Sequence, residues 1–118
     1  MAFIQLNEFR NREIFPEVRI RAPHLKNLML SYVELDPGAV VPLHQHPHEQ
    51  GGMVVKGKLR FRIGNQTQTL GPGSLYLIPS NVPHEVTVIE GPAVALDVFA
   101  PVREEYAYEN EQIIDEET

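Results

Sequence analysis

Along several short runs of the chain, every second residue is apolar. In residues 17–22, Val18, Ile20 and Ala22 alternate with Arg19 and Arg21, and in residues 58–63, Leu59, Phe61 and Ile63 alternate with Lys58, Arg60 and Arg62. A period of two sends alternate side chains to opposite faces of an extended strand, so both runs predict half-buried strands with their basic residues in water. Residues 27–35 are apolar on both faces, as expected where one side lines a core and the other meets a second sheet or subunit. Residues 66–70, 74–78, 85–90 and 93–100 predict further short strands. Asp36-Pro37-Gly38, Gly64-Asn65, Gly71-Pro72-Gly73, residues 79–83 and Gly91-Pro92 separate them as turns. With Gly57 as a break, residues 53–63 read as parts of two successive hairpins. Helical periodicity is nearly absent, and the predicted fold is an all-β barrel or sandwich.

The 118 residues suffice for one modest core and not for two. Charge divides the chain into a barrel domain, residues 1–103, and an acidic tail, residues 104–118. Of 16 acids and 10 bases, seven acids and no base lie in the tail, leaving nine acids against ten bases before it. The tail is expected to be exposed, with at most a helical turn near 104–109. Nothing resembles a basic nucleic-acid footprint. The N-terminus lacks the apolar stretch of a signal peptide and no run reaches the roughly 20 apolar residues of a membrane span, so the expectation is a cytoplasmic protein. There is no cysteine, so any metal must be held by His, carboxylate or amide.

Candidate chemistry gathers in residues 38–57. His44 and His46 are two apart, which on an extended strand throws both imidazoles onto one face. Gln50 follows beyond Pro47, and His84 lies in a later Pro-His turn. Four such donors converging inside an apolar barrel would be unsatisfied without a cation, so a divalent metal site of His44, His46, Gln50 and His84 is expected. This neutral set leaves the ion's charge undiminished for polarising oxygens. Imidazole suits Fe, Ni, Cu and Zn, and a carbonyl oxygen also suits Mn. His24 and His48 are expected in solvent, on a loop and at the rim, and Glu49 either at the rim or hydrogen-bonded to a ligating imidazole. In residues 93–100, Ala93, Ala95, Asp97 and Phe99 share one face and Val94, Leu96 and Val98 the other. If the Asp97 face looks inward, the alanines leave room for a ligand, with Arg103 at the mouth. The aliphatic faces of this strand and of residues 27–35 exceed what one small barrel buries, and a homodimer is expected.

The pattern Gly38-x5-His44-x-His46-x3-Gln50-x6-Gly57 resembles the first motif of the cupin superfamily, the RmlC-like barrels, with Gln50 where Glu is usual. Gly73, Pro79 and His84 are spaced as in the second motif, with Asn81 replacing a glycine and Val88 an asparagine. The resemblance implies a double-stranded β-helix, or jelly roll, around one divalent transition metal ion such as Ni, Zn, Mn or Fe. His-Gln-His-Pro-His-Glu-Gln, together with the segment from Asp97 to Arg103, is further similar to small single-domain cupins of pectin degradation, which convert 4,5-unsaturated monouronates to linear ketonised forms. That similarity implies His44, His46, Gln50 and His84 as ligands, Asp97 and Arg103 as catalytic groups, and Phe99 and Arg103 as contacts to a uronic acid. A quercetinase-like dioxygenase and a non-catalytic cupin that binds sugar acids are the alternatives.

Overall fold

The computed structural model describes residues 3–107. The alternating runs become strands β1 (Arg12–Phe15), β2 (Val18–Arg21), β3 (Met29–Leu35), β4 (Val40–His44), β5 (Glu49–Ile63), β6 (Gln66–Leu70), β7 (Leu75–Ile78) and β8 (His84–Ala100). All pairings are antiparallel, in the order β1-β2-β3-β8-β5-β6, with β4 also on β8 and β7 also on β5. This is the jelly roll. Val18, Ile20, Met29, Val54 and Leu59 are at most 1% exposed and define its core.

Two of the expected breaks are not turns. β5 runs through Gly57 as one strand and β8 runs through Gly91-Pro92, and the two pair from Glu49↔Ala100 to Ile63↔His84. Their register shifts between Val54 and Leu59, where both strands bend together. Gly57 has φ +81°, and a Cβ there would lie 2.6 Å from the Glu90 carbonyl oxygen. Glycine at positive φ serves a bulge as readily as a turn, so its presence alone does not distinguish them. Past the bend the ribbon changes partners. The first half of β8 pairs with β4 and the second with β3, so β5 and β8 belong to both faces of the barrel.

The inward face of β8 carries Ala93, Ala95, Asp97 and Phe99, all buried, while Val94, Leu96 and Val98 are half-exposed. Outside, two cross-strand rows run over β3, β8, β5 and β7: Leu30, Val98, Gly51 and Leu77 in one, Tyr32, Leu96, Met53 and Leu75 in the other. Leu75 and Leu77 are 73% and 81% exposed. Among the described residues no helix is long and apolar enough to cross a membrane. Among the described residues, helical structure is confined to 3-10 turns at Leu6–Glu8 and Glu104–Tyr106. The second matches the start of the turn expected near 104–109, and the acidic segment beyond 107 lies outside the described residues.

Candidate metal and substrate site

β4 ends at His44, so His46 reaches the same place from the irregular segment that follows and not from a shared strand face. His84 opens β8 directly opposite His44. Asn81 ties the two motifs together: at φ +62° it takes the left-handed conformation that asparagine tolerates, and its N–H donates to the His46 carbonyl at 2.8 Å. Val88, the other departure from the second motif, is buried in the core.

The ligating nitrogens of His44, His46 and His84 lie within 4.8 Å of one another, so the three can hold a metal ion. Backbone carbonyls set the tautomer of each ring. Nδ1 of His44 donates to Pro42 at 2.7 Å, that of His46 to His48 at 3.0 Å and that of His84 to Val82 at 2.8 Å. With each Nδ1 carrying the proton, each Nε2 presents a lone pair. His84 Nε2 is buried with no partner. Burial pushes the His84 imidazole down to about 4 and that of His46 downward, so both are neutral near pH 7. Gln50 Oε1 is 3.1 Å from His46 Nε2. With the His46 proton on Nδ1, that contact sets acceptor against acceptor, an arrangement a shared cation would satisfy. The residues therefore fit a divalent ion by an orphaned nitrogen, fixed tautomers and a donor set suited to transition metals.

Asp97 is 8% exposed and accepts the Tyr76 O–H. Burial pushes its carboxyl up to about 6, opposed by hydrogen bonds from Tyr76 and Gln50 and by the Arg103 charge. Phe99 stands edge-on to His46, ring centres 5.7 Å apart. Arg103, expected at an open mouth, is 7% exposed. Its guanidinium lies 4.2 Å from the Tyr106 ring and 5.1 Å from that of Phe99, and its Nε donates to Glu105 at 3.2 Å. Arg12 of β1 holds this cover by donating to the Tyr106 carbonyl at 2.8 Å. The cavity left beneath is about 50 Å³ and is lined by His44, Gln50, His84, Asp97, Arg103 and Tyr106, among others.

Two histidines correct the sequence expectation. His48 is 7% exposed, its ring 5.5 Å from that of His46 and its Nε2 3.6 Å from Glu104, because the turn that carries its carbonyl to His46 also folds its side chain inward. His24 is 7% exposed as well, drawn under the β2–β3 connection by a bridge to Met29. Glu49 is exposed. Tyr76 and Tyr106 were not among the expected site residues. Tyr76 sits in a Leu-Tyr-Leu-Ile run that reads as ordinary strand, and Tyr106 in the acidic segment.

A family model described as a cupin domain matches residues 31–99. The chain belongs to the cupin family. This cupin is 32% identical over 89 residues to oxalate decarboxylase OxdC of Bacillus subtilis, covering 70% of the chain and 23% of that protein. It is 33% identical over 76 residues to dimethylsulfoniopropionate lyase DddQ of Ruegeria pomeroyi, covering 63% of the chain and 38% of that protein. The cupin thus spans well under half the length of these two curated relatives. Among solved structures it resembles KdgF from Halomonas sp. with TM-score 0.84 and 28% identity, covering 91% of this chain and 99% of that one.

Proposed function

We propose that this cupin opens 4,5-unsaturated monouronates to their linear keto form at a divalent transition metal held by His44, His46, Gln50 and His84. The observation that carries the reading is the meeting, at one barrel mouth, of three Nε2-presenting imidazoles with a buried carboxylate and a buried guanidinium. The resemblance to pectin-degradation proteins and the structural likeness to KdgF support it. B. subtilis oxalate decarboxylase has Mn(II) centres, and Mn joins Fe, Ni and Zn as a candidate here.

The chemistry is an isomerisation. The C1–O5 bond breaks as the anomeric hydroxyl loses its proton, leaving an aldehyde at C1 and an enolate across O5, C5 and C4. A proton delivered to C4 then gives the ketone, so one proton is moved overall and nothing is consumed. When bound, the metal supplies Lewis acidity toward the substrate's oxygens. Asp97, buried and near-neutral in its proton affinity, moves the proton. Arg103 offers its fork to the substrate carboxylate, and Phe99 a wall for the sugar. Ligand sites usually enclose about 300 Å³ or more, so a cavity of about 50 Å³ admits no sugar while Tyr106 covers it. Entry displaces the Glu104–Tyr106 turn, and the substrate carboxylate replaces Glu105 on Arg103.

Loss of absorbance of the conjugated double bond, followed with metal-loaded protein and an unsaturated monouronate, tests the reading. No turnover sinks it, and oxygen consumption with a flavonol would establish a dioxygenase instead. Arg103→Ala is expected to keep its metal and lose roughly ten- to 150-fold in kcat/KM, the equivalent of a charged hydrogen bond of about 1.5–3 kcal/mol. Its melting temperature falls as well, because Arg103 packs between two aromatic rings. Unchanged kcat/KM removes Arg103 from the substrate site.

The same reading pairs two copies of the chain. Leu30 and Tyr32 of β3, Leu96 and Val98 of β8, Met53 of β5 and Leu75 and Leu77 of β7 form one apolar surface across four adjacent strands, and a second copy can cover it about a two-fold axis. Light scattering at micromolar concentration is expected to give a dimer mass, with Leu75→Lys/Leu77→Lys reverting to monomer. A monomeric wild type overturns the pairing.

A further inference from the structure

A glutamine ligand has an orientation problem that a glutamate lacks. Its Oε1 can face a cation, but its Nε2, a donor, cannot, and rotation of the amide by half a turn exchanges the two. Something in the fold must choose. Gly52 of β5 stands directly opposite Tyr76 of β7 on one side and Asp97 of β8 on the other. Because Gly52 has no side chain, Tyr76 and Asp97 meet across it, and a Cβ at that position would strike both. Gln50, two residues earlier on the same face, lines the same small cavity as Asp97, and its amide holds down the carboxyl's proton affinity as a nearby donor does. Tyr76 is 5% exposed and is braced by the Phe61 ring, 4.2 Å away between centres.

We propose that Tyr76 and Asp97 are a positioning pair for Gln50: the carboxylate, an acceptor only, takes the Gln50 amide N–H and so turns Oε1 toward His46 and the imidazole cluster, while the Tyr76 hydroxyl holds the carboxylate in place. This rests on the reading that the cluster binds a divalent ion. It also accounts for glutamine where the family motif usually has glutamate. A glutamate at position 50 would set its carboxylate against that of Asp97, whereas the amide joins to it by a hydrogen bond, so the site carries one negative charge beside the ligands and not two. Burial and packing alone give no reason for the Gln50 side chain to bridge Asp97 and His46.

The test measures affinity for Zn(II) and Mn(II) by calorimetric titration, together with the melting temperature of metal-free protein. Tyr76→Phe is expected to weaken binding ten- to 100-fold, the loss typical when a ligand's supporting partner is removed. Its metal-free melting temperature should move far less than that of a core truncation. A fall in melting temperature with unchanged affinity makes Tyr76 merely structural and overturns the proposal. A double-mutant cycle at positions 50 and 97 leaves Tyr76 intact and guards against misfolding of that variant. Asp97→Asn alone weakens binding, because its amide no longer forbids the wrong rotamer of Gln50. Adding Gln50→Glu to Asp97→Asn restores affinity, since the amide N–H introduced at position 97 can donate to the carboxylate introduced at position 50, while the amide oxygen still accepts from Tyr76. The gain from Gln50→Glu is expected to be at least tenfold larger in the Asp97→Asn background than in the wild type, and additive effects overturn the proposal. A wild type that binds neither ion overturns the metal reading itself, an outcome distinct from a wild type that binds while the variants match it.

Discussion

Replacing His84 with alanine is expected to abolish stoichiometric divalent-metal binding, and with it the thermal stabilisation that metal gives. His84 is 2% exposed, its Nδ1 is tethered to Val82, and its Nε2 is buried with no partner beside the other two imidazoles. Burial holds the ring down to about 4, so protons do not compete for that nitrogen at neutral pH. Removing a ligand outright should exceed the ten- to 100-fold loss that follows removal of a supporting partner. A ligand at 100 times its Kd stabilises a folded protein by about 2.7 kcal/mol. For a domain of this size that corresponds to a rise in melting temperature on the order of 10 °C. Wild-type protein should show this rise on adding Zn(II) or Mn(II), and His84→Ala should not. The metal-free proteins should melt closer together, because the substitution opens a cavity and loses the Val82 contact but also removes an orphaned buried nitrogen. Elemental analysis giving one equivalent of metal in purified His84→Ala would place the ion elsewhere.

Much of the architecture was legible because local and global patterns agree. The alternation in residues 58–63 and 93–100 places Leu59, Phe61, Ala95 and Phe99 inward, and the two histidine motifs occupy the ends of strands that the jelly roll brings together. What escaped depends on contacts distant in sequence. Gly57 and Gly91 look like turns, and only neighbours distant in sequence make them bends in continuous strands, Gly57 lying against Glu90 and Ala93 of β8 and Gly91 against Pro37. The hydroxyl of Tyr76 meets a carboxylate 21 residues away, across a strand whose decisive residue, Gly52, has no side chain to announce it. Arg103 reads as a residue at an open mouth until Tyr106 and Glu105 are seen against it. Acidic composition correctly suggested exposure for Glu104 and Glu105 but hid the aromatic residue between them and the core. His48 and His24 share one lesson, that a polar residue on a short connection is buried when its backbone is recruited by a neighbouring strand or ring.

Asp97→Asn is expected to make the metal-free protein more stable at pH 8 while reducing turnover by roughly 10²- to 10⁴-fold, the range for loss of a general acid or base. The stability effect has a definite sign. Burial raises the carboxyl in the folded protein from its ordinary 3.8 to about 6, so folding favours the protonated form. Below about pH 4 the carboxyl is protonated in both folded and unfolded chains and Asp97 carries no ionisation penalty. As pH rises from about 4 to 6, the unfolded chain ionises freely while the folded protein resists ionising the buried group, and stability is lost until both are ionised. At about 1.4 kcal/mol for each pKa unit, the full difference is on the order of 3 kcal/mol. Asparagine has nearly the same shape, accepts the Tyr76 O–H and never ionises, so denaturant melts of the metal-free proteins should show its advantage at pH 8, about half of it near pH 5, and none below pH 4. An advantage that does not vary with pH would mean that the Asp97 carboxyl is not the buried ionising group. With metal saturating, the cation offsets the carboxylate's charge and the advantage should shrink. Turnover must be compared in that saturated state, because the substitution also loosens Gln50. A carboxylate kept where it destabilises the fold by this much, when an isosteric amide would relieve it, is the pattern of a functional group, and both the proposed proton transfer and the proposed orientation of Gln50 call for one at Asp97.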